Sequence, residues 1–308
     1  MTANVEASVK ARLRNKMHDS GLDFQFLLTS YARERFLYRL GASHIRDRCI
    51  LKGASLLAVW MDEPYRATRD VDMLALDGFD ERYVRQLMAT ICAVPCPEDA
   101  LRFDLSSLRV FPIRTGQPYP SQRIKLTARL GIARIPLQVD IGFGDVVVPG
   151  PEEVQFPTLM EGMAAPSVRA YPRTSTVAEK LEAIVQLGQQ NSRMKDFHDV
   201  WALSETFSFD GSVLSRAIQA CFARRKTDWT TLAPLALTPT FYANAGLIRR
   251  WTDYRTSTNL VIPPPDAFHV VGERIVAFVG PIRESVLDRV PFDMDWPPGG
   301  PWQIVVLC

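Results

Sequence analysis

Hydrophobic residues recur every three to four positions between residues 5 and 41, which is typical of amphipathic helices. The first predicted helix ends at Gly21, and Asp23 then offers an N-cap for a second helix that ends near Gly41. The apolar stripe of the first helix consists of Val5, Val9, Leu13 and Met17. Basic residues occupy other positions of the two helices: Lys10, Arg12, Arg14, Lys16, Arg33, Arg35 and Arg39. Such basic faces are usually solvated, and contact with nucleic acid is the alternative.

The period changes to two in the middle of the chain, where alternate apolar residues predict β-strands. Residues 123–130 and 135–142 alternate most clearly, and residues 101–113 form a further extended segment. This pattern is typical of antiparallel strands that have one buried face and one polar face. Asp140 lies on the polar face of its predicted strand.

A shorter predicted strand, residues 69–76, carries two aspartates, Asp70 and Asp72, which share a face because alternate strand residues point the same way. Two carboxylates this close repel each other unless a cation lies between them. Mg2+ prefers such oxygen ligands, and Mn2+ is the possible substitute. Upstream, the turn Gly53-Ala54-Ser55 opens a short apolar helix, and its free backbone N–H groups suit a phosphate. A metal-binding pair and a phosphate-binding turn together outline a nucleotidyl-transfer site.

Helical periodicity returns at residue 176, after a Pro-rich stretch over 146–174. Lys180 lies at the margin of the apolar stripe of this helix. A lysine in that position usually extends its ammonium to solvent, but the same position would also aim it at a phosphate in a cleft. On the next predicted helix, Asp196 and Asp199 are three residues apart and share one flank.

The composition is that of an ordinary soluble globular protein: of 308 residues, 47% are hydrophobic and 23% are charged, with a net charge of +2. Residues 1–52 are rich in Lys and Arg, whereas residues 62–104 are rich in Asp and Glu. This distribution fits a metal site that serves a polyanionic partner, although scattered solvated charge is the simpler interpretation. The cysteines form no paired CxxC sets, and we find neither a signal-peptide pattern nor an apolar run long enough to span a membrane. We therefore expect a cytoplasmic protein without a membrane partner.

The chain resembles the AbiEii-type nucleotidyltransferase toxins, which are the enzymes of type IV toxin–antitoxin systems. Four stretches between residues 51 and 199 carry the resemblance, and they occur in the order that the family shows. They are Leu51-Lys52-Gly53-Ala54-Ser55 with Arg69-Asp70-Val71-Asp72, Val139-Asp140-Ile141-Gly142-Phe143-Gly144-Asp145, Thr176-Val177-Ala178-Glu179-Lys180-Leu181-Glu182-Ala183, and Arg193-Met194-Lys195-Asp196-Phe197-His198-Asp199.

The resemblance implies an α+β fold, with a nucleotidyltransferase core of the DNA-polymerase-β type, built from a mixed sheet with helices, between helical N-terminal and C-terminal parts. The expected divisions are an N-terminal helical segment (1–48), the nucleotidyltransferase core (49–150), a linker (151–174), a helical C-terminal domain (175–290) and a Pro/Gly-rich tail (291–308).

Roles for individual residues also follow from the resemblance. It implies that Asp70 and Asp72 hold Mg2+ and the nucleotide, that Lys180 neutralises the triphosphate, and that Asp196 acts as a base. The residues expected to bind the nucleotide are Gly53, Ser55 and Lys180. The same motifs contain the expected supporting residues Arg69, Arg193, Lys195 and Asp199.

Two features of the implied site are not fixed by the resemblance: the geometry of the turn at position 54 and the identity of the third carboxylate. Position 54 is Ala where the family usually has Gly or Ser, and because Ala does not adopt positive φ as Gly does, the loop geometry can differ. The third metal-binding carboxylate is Asp140 or, as a competing candidate, Asp145.

The implied reaction is Mg2+-dependent transfer of a nucleotide from an NTP to the 3′ end of tRNA, as in some relatives, which blocks translation. The implied protein partner is a cognate antitoxin of the winged-helix type. Two alternatives stay open: transfer to hydroxyl groups of proteins, and a non-catalytic regulator that binds NTP or RNA.

Overall fold

The structure, a computed structural model, describes residues 2–61, 68, 70–78, 80–113, 121–231, 234–257, 260 and 262–304. These residues form two compact units. The first unit contains residues up to 144 together with residues 151–170, and the second contains residues 145–150 and the chain from residue 171 onward.

The first unit begins with two long helices, α1 (Thr2–Ser20) and α2 (Phe24–Ala42), as the helical period predicts. Asp23 caps α2, because its side chain accepts a 2.8 Å hydrogen bond from the backbone N–H of Phe26. The other elements are β1 (Cys49–Lys52), α3 (Leu57–Trp60), β2 (Asp70–Ala75), α4 (Glu81–Cys92), β3 (Leu101–Pro112), β4 (Ser121–Leu130), β5 (Ala133–Phe143), β6 (Glu152–Gln155) and β7 (Ser167–Ala170).

The strands of the first unit form a seven-stranded sheet in the order β3-β4-β5-β2-β1-β7-β6. β2 is parallel to β5 and β1 is parallel to β7, whereas the other neighbours are antiparallel. The sheet is therefore mixed, and the α+β prediction is confirmed. The predicted alternation is confirmed as well: the apolar residues of β4 and β5 are buried and pack in part against α1 and α2. Burial of this face leaves the opposite face of the same strands for polar side chains.

The arginines of α2 do not form a solvated or nucleic-acid-binding face, which corrects the prediction for this helix. Arg33, Arg35 and Arg39 are all buried. Arg39 makes a two-point ion pair with Asp99, with Nη1–Oδ2 at 2.5 Å and Nη2–Oδ1 at 3.1 Å. Arg35 pairs with its neighbour Glu34 at 2.9 Å. The helix is buried on most sides, so its charges are matched inside the unit instead of by solvent.

Residues 151–170 are not an irregular linker, which corrects the predicted boundary. β6 and β7 pair with each other, and Ala170 of β7 lies opposite Leu51 of β1. The loop between them is bound to α2: the Leu159 N–H donates to Glu34 at 2.6 Å and Arg35 donates to the Ala164 carbonyl at 2.7 Å. The prolines that suggested a linker lie outside these two short strands.

The second unit is mainly helical, as predicted. Its elements are α5 (Arg173–Leu187), α6 (Met194–Thr206), β8 (Phe209–Asp210), α7 (Gly211–Arg225), α8 (Pro239–Tyr242), α9 (Ala245–Ser257), α10 (Phe268–Asp288), β9 (Met294–Trp296) and β10 (Gln303–Ile304). The three short strands pair in the order β10-β9-β8, a small sheet that the sequence pattern did not predict. Through β9 the Pro/Gly-rich tail is anchored, because Trp296 is fully buried and its indole N–H donates to the Ser204 carbonyl at 2.7 Å.

In the part of the chain that the structure describes, no helix has both the length and the apolar character that a membrane span requires.

Candidate active site

The two aspartates of β2 lie in the interior of the sheet, between β1 and β5. Asp70 and Asp72 are partly buried on one face, while Val71 and Met73 are fully buried on the other. The alternation inferred from the sequence therefore holds at these four positions. Because the strand is hydrogen-bonded on both sides, the backbone that carries the two carboxylates is held in place.

A line of charged residues crosses four neighbouring strands at the level of Asp72. Asp72 lies opposite Lys52 of β1 and opposite Asp140 of β5, and Asp140 lies opposite Arg123 of β4. Directly opposite residues of paired strands share a face. We call this set the charged row: Arg123, Asp140, Asp72 and Lys52. Two anions thus lie between two cations, and Asp70 is two residues further along β2 on the same face.

Gly53 lies directly against the Asp72 side chain, and this contact explains the glycine at position 53. Its φ is +74°, a left-handed conformation that favours glycine. A Cβ atom at position 53 would lie 2.8 Å from both Cβ and Cγ of Asp72, and closer still to Oδ2. The missing side chain therefore lets the turn approach β2, and the chain continues as a 3-10 turn (Gly53–Leu56) into α3.

Ala54 is compatible with this turn. Among the described residues other than glycine, positive φ occurs at Ala100, Lys226 and Arg289. Ala54 does not belong to this group, so its φ is in the ordinary negative range. The left-handed residue of the turn is Gly53, and in this conformation position 54 does not require a glycine.

Ser55 is buried, and its hydroxyl donates to the main-chain carbonyl of Asp70 at 3.3 Å. In this arrangement the side chain supports the strand that carries the aspartates. Its contact with a triphosphate stays a prediction.

Asp140 is held by Arg123 through two parallel hydrogen bonds, Nε–Oδ1 at 2.9 Å and Nη2–Oδ2 at 2.7 Å. Hydrogen bonding to Asp140, together with the charges of Asp140, Asp70 and Asp72, raises the pKa of Arg123 above its ordinary value. Sequence reasoning placed both residues on polar faces but missed the pair. The signal was present: a two-residue turn at Gly131-Ile132 sets Leu130 opposite Ala133, and the same register sets 123 opposite 140.

Asp145, the competing candidate for the third carboxylate, belongs to the second unit. Its carboxylate lies 3.6 Å from Arg225, which also pairs with Glu179 and Glu182 at 3.0 and 2.8 Å. Asp140, in contrast, is the strand neighbour of Asp72.

Arg33 of α2 is a further residue near the aspartates that sequence reasoning did not assign to the site. Its guanidinium donates to the main-chain carbonyl of Thr68, two residues before Asp70. Burial lowers the pKa of Arg33 to about 10, and the negative charges of Asp70 and Glu34 oppose that shift. Arg33 therefore braces the chain just ahead of β2. The expected supporting residue Arg69 lies outside the described residues.

The second unit brings together the later sequence motifs. The Lys180 ammonium lies 2.5 Å from Asp199 and 3.3 Å from Asp196, and all three side chains are almost completely buried. Arg193 approaches Asp196 from the other side, with Nε–Oδ2 at 2.6 Å. Lys180 is thus not extended to solvent, and a buried charge network joins α5 to the start of α6.

Lys195 is exposed on the first turn of α6. Together with Arg193 it borders an open cavity of 390 Å³ within the second unit. The remaining lining residues are Ser192, Met194, Arg250, Asp253, Tyr254 and Ser257.

The donor set of the first unit fits a divalent cation. Asp70 and Asp72 present carboxylate oxygens on one face, and the Cβ-free Gly53 leaves Asp72 its position beside the turn. Among the described residues, no three His, Cys, Asp or Glu side chains converge as a ready-made metal cluster. The third carboxylate of the region, Asp140, has both oxygens on Arg123. Asp140, which lies opposite Asp72 on β5, therefore stays the candidate for a third carboxylate.

One comparison with known proteins, a match to a family model, agrees with the sequence motifs. The family described as "Nucleotidyl transferase AbiEii toxin, Type IV TA system" matches residues 35–273, well over half of the chain. Among solved structures, JHP933 from Helicobacter pylori aligns over 87% of this chain and 95% of its own, with 11% identity and a TM-score of 0.49. A second H. pylori protein, described provisionally as a nucleotidyltransferase, aligns over 87% and 98%, with 11% identity and a TM-score of 0.44. No curated protein matches the chain.

Proposed function

Because the chain belongs to the AbiEii family of nucleotidyltransferase toxins of type IV toxin–antitoxin systems, we propose that it transfers a nucleotide from an NTP to the 3′ end of tRNA. The reaction depends on Mg2+ and inhibits translation. The observation that carries the proposal is the Asp70/Asp72 pair, which faces one side of an interior strand with Gly53 packed against Asp72.

In the proposed reaction a hydroxyl of the acceptor attacks the α-phosphorus of the NTP. The new P–O bond forms as the bond between the α-phosphorus and the bridging oxygen breaks, pyrophosphate leaves, and the hydroxyl proton passes to a base or to water. Asp70 and Asp72, which share one face of β2, would hold the divalent cation through their carboxylate oxygens. That cation supplies the chemistry of polarising the phosphoryl oxygens and stabilising the leaving pyrophosphate. Mn2+ is expected to substitute, because it binds the same oxygen ligands.

We propose that Lys180, in the second unit, contributes positive charge that neutralises the triphosphate, as the family resemblance implies. Such a group is worth on the order of 100-fold in rate. Asp199 and Asp196 hold its ammonium at 2.5 and 3.3 Å. Since Asp196 is bound by both Lys180 and Arg193, we assign it to positioning Lys180 ahead of the general-base role.

The choice of acceptor rests on family resemblance. The basic residues of α2, which could have favoured RNA, are buried and paired within the first unit. Protein hydroxyls are therefore retained as the second acceptor class for the test. The proposed partner is a cognate antitoxin of the winged-helix type, encoded beside this chain.

The experiment compares the unmodified chain with Asp72→Asn. Each is incubated with the four α-³²P-labelled NTPs and either total RNA or lysate protein, and each is also expressed alone for mass analysis of tRNA 3′ ends. We expect labelled tRNA and growth arrest with the unmodified chain, and a loss of both by about 100-fold or more with Asp72→Asn.

The matched control is Asp77→Asn, an exposed aspartate just past the end of β2 that is 3.8 Å from Arg48. It removes the same charge from the same region without touching the pair, so full activity is expected. If label appeared in protein alone, the acceptor would be a protein hydroxyl and not tRNA. If Asp72→Asn kept full activity, the assignment of the active site to Asp70 and Asp72 would be wrong.

A further inference from the structure

We infer that the face of β3, β4 and β5 that points away from α1 and α2 binds a single-stranded segment of the acceptor RNA, next to Asp70 and Asp72. We call this surface the basic face, and its residues, all exposed or partly exposed, are Arg102, Arg109, Phe111, Lys125, Arg129 and Arg134. The inference rests on the proposed function, since it gives the acceptor of that reaction a binding surface.

The basic face is continuous with the face that carries the two aspartates, because directly opposite residues of paired strands share a face. Asp70 lies opposite Gln138 of β5, which lies opposite Lys125 of β4. Lys125 in turn lies opposite Arg109 of β3, so that two cations lie side by side. Neighbouring strands are about 4.8 Å apart, which places the backbone of Lys125 roughly 10 Å from that of Asp70.

A bulge in β3 places Arg109 and Phe111 on this face. The register against β4 shifts between Asp104 and Arg109, where β3 advances five residues while β4 advances two. Without the shift, alternation from Asp104 would bring Ser106 and Leu108 to these two positions. Leu108 is buried instead, and a cation and an aromatic ring occupy the exposed positions. Bulges re-aim side chains in this way and are common beside active sites.

Three arginines of the basic face lie side by side on neighbouring strands. Arg129 of β4 lies opposite Arg102 of β3 on one side and opposite Arg134 of β5 on the other. Like charges that are directly opposite each other destabilise a sheet. Asp104 pairs with the central arginine, with Oδ2 3.0 Å from Nη2 of Arg129, which sets one carboxylate among three guanidinium groups. A phosphate backbone, with one negative charge for each nucleotide, complements this arrangement.

Phe111 gives the basic face a surface on which a base can stack. The residue is 44% exposed, and the Lys125 ammonium lies 5.7 Å from the centroid of its ring. Aromatic rings on an exposed sheet stack with unpaired bases, while neighbouring cations bind the phosphates. The bases of a duplex are already stacked on each other, so the ring favours a single-stranded segment. An acidic protein would match the cations but would not need the ring.

The test measures binding of fluorescein-labelled bulk tRNA by fluorescence anisotropy, without NTP or divalent ions, over a series of KCl concentrations. The unmodified chain is compared with Arg109→Gln/Lys125→Gln, Phe111→Leu and Phe111→Tyr. The control is Arg82→Gln/Arg85→Gln, which removes two exposed arginines from α4 and therefore the same net charge. A short unlabelled single-stranded RNA and the duplex of the same sequence serve as competitors, and thermal unfolding verifies that each variant is folded.

We expect Arg109→Gln/Lys125→Gln to weaken tRNA binding by about tenfold or more. The slope of log K against log salt concentration should fall by about 2, since each lost phosphate contact lowers it by about 1. Phe111→Leu should weaken binding by about fivefold or more at an unchanged slope, because a stacked base releases no counterions. Phe111→Tyr keeps the aromatic ring and should keep the affinity.

The control variant should stay within about twofold of the unmodified chain, because distant charges are screened at physiological salt. The single-stranded competitor should displace tRNA, and the duplex should not. Equal weakening in the control would overturn the inference, since net charge would then explain the binding. Absence of tRNA binding by the unmodified chain, an unchanged affinity in Phe111→Leu, or equal displacement by the duplex would overturn it as well.

An unchanged affinity and slope in Arg109→Gln/Lys125→Gln would also overturn the inference, and this is the result expected if the basic face binds an acidic protein. The proposed function fails in a different way, namely when Asp72→Asn keeps full nucleotidyl transfer. That result leaves the binding measurements unaffected, so the two failures are distinguishable.

Discussion

Gly53 and Asp72 touch each other where the turn after β1 meets β2. Because position 53 has no side chain, the backbone of the turn can lie against the Asp72 carboxylate. The left-handed φ of +74° also favours glycine at this position. Ser55, two residues later, is hydrogen-bonded to the carbonyl of Asp70. The turn therefore positions both aspartates through two different contacts.

We predict that Gly53→Ala lowers nucleotidyl transfer by about 100-fold, because a displacement of the order of 1 Å at a reacting centre costs that much. The new methyl group has to push Asp72 away, since it would lie 2.8 Å from two of its carbon atoms. Steady-state transfer to the identified acceptor and Mn2+ affinity are the measurements.

The matched control for Gly53→Ala is Gly21→Ala. Gly21 has a similar φ of +67° but has no neighbouring atom within 4 Å of a new Cβ. This variant carries the backbone strain alone, roughly 1–2 kcal/mol, and should keep its activity. Equal loss of activity in both variants would show that strain, and not the Asp72 contact, explains the effect.

Sequence periodicity correctly predicted on which face of a strand a side chain lies. Alternation placed Asp70, Asp72 and Asp140 on polar faces, and the structure agrees. It could not predict that Arg33 turns inward, because the residues that bury it come from other parts of the chain. The Arg123–Asp140 pair was within reach, since the short turn at Gly131 fixes the register of the hairpin.

At the scale of elements, α2 is unusual because it buries several charged side chains. A helix that is buried on most sides normally consists of apolar residues, yet α2 carries three buried arginines and a buried glutamate. Arg39 is matched by Asp99, whose carboxylate also accepts from the Leu101 N–H at 2.8 Å. The pair thus joins α2 to the start of β3.

We predict that Arg39→Met lowers the free energy of unfolding by about 3–5 kcal/mol, because it leaves the Asp99 carboxylate buried without its cation. Urea-induced unfolding followed by circular dichroism measures the effect. The control is Arg85→Met on α4, which removes an exposed i,i+4 pair with Glu81 and should cost only about 0.3–0.5 kcal/mol. Similar losses in both variants would contradict the assignment of α2 as a charge-matched core helix.

The long elements were predicted from their periodicity, whereas the short strands β6 and β7 were not. β4 and β5 each alternate over ten or more residues, and α1 and α2 are each 19 residues long. β6 and β7 have four residues each, and the partner of β7 is β1, more than a hundred positions earlier. Four residues carry too little periodicity to identify a strand, and nothing local indicates a partner so far away.

At the scale of the whole molecule, the chain forms two compact units. The interior of the second unit includes the C-terminal tail: Trp296 is fully buried beside Phe278, and the indole N–H of Trp302 donates to the Phe278 carbonyl at 2.9 Å. The tail therefore completes the second unit, and its Pro/Gly content serves the turns between these anchors.

We predict that Trp296→Ala destabilises the second unit by about 3–5 kcal/mol, as expected for truncating a buried tryptophan. Hydrogen exchange measured by mass spectrometry should show the loss in peptides from α6, α7 and α10, while peptides of the seven-stranded sheet keep their protection. The control is Ile304→Ala in the same tail, where the side chain is 78% exposed and no change is expected. Equal loss of protection in the sheet would mean that the two units unfold together.

The parallel pairing of β1 with β7 has a consequence during synthesis on the ribosome. β1 occupies residues 49–52, but its second neighbour ends at residue 170. Until that residue has left the exit tunnel, one edge of β1 offers unpaired N–H and C=O groups to any strand nearby. The nascent chain therefore passes through a stage in which β1 can pair with a wrong strand. The sheet that carries Asp70 and Asp72 gains its last strand, β7, only when more than half of the protein has been made.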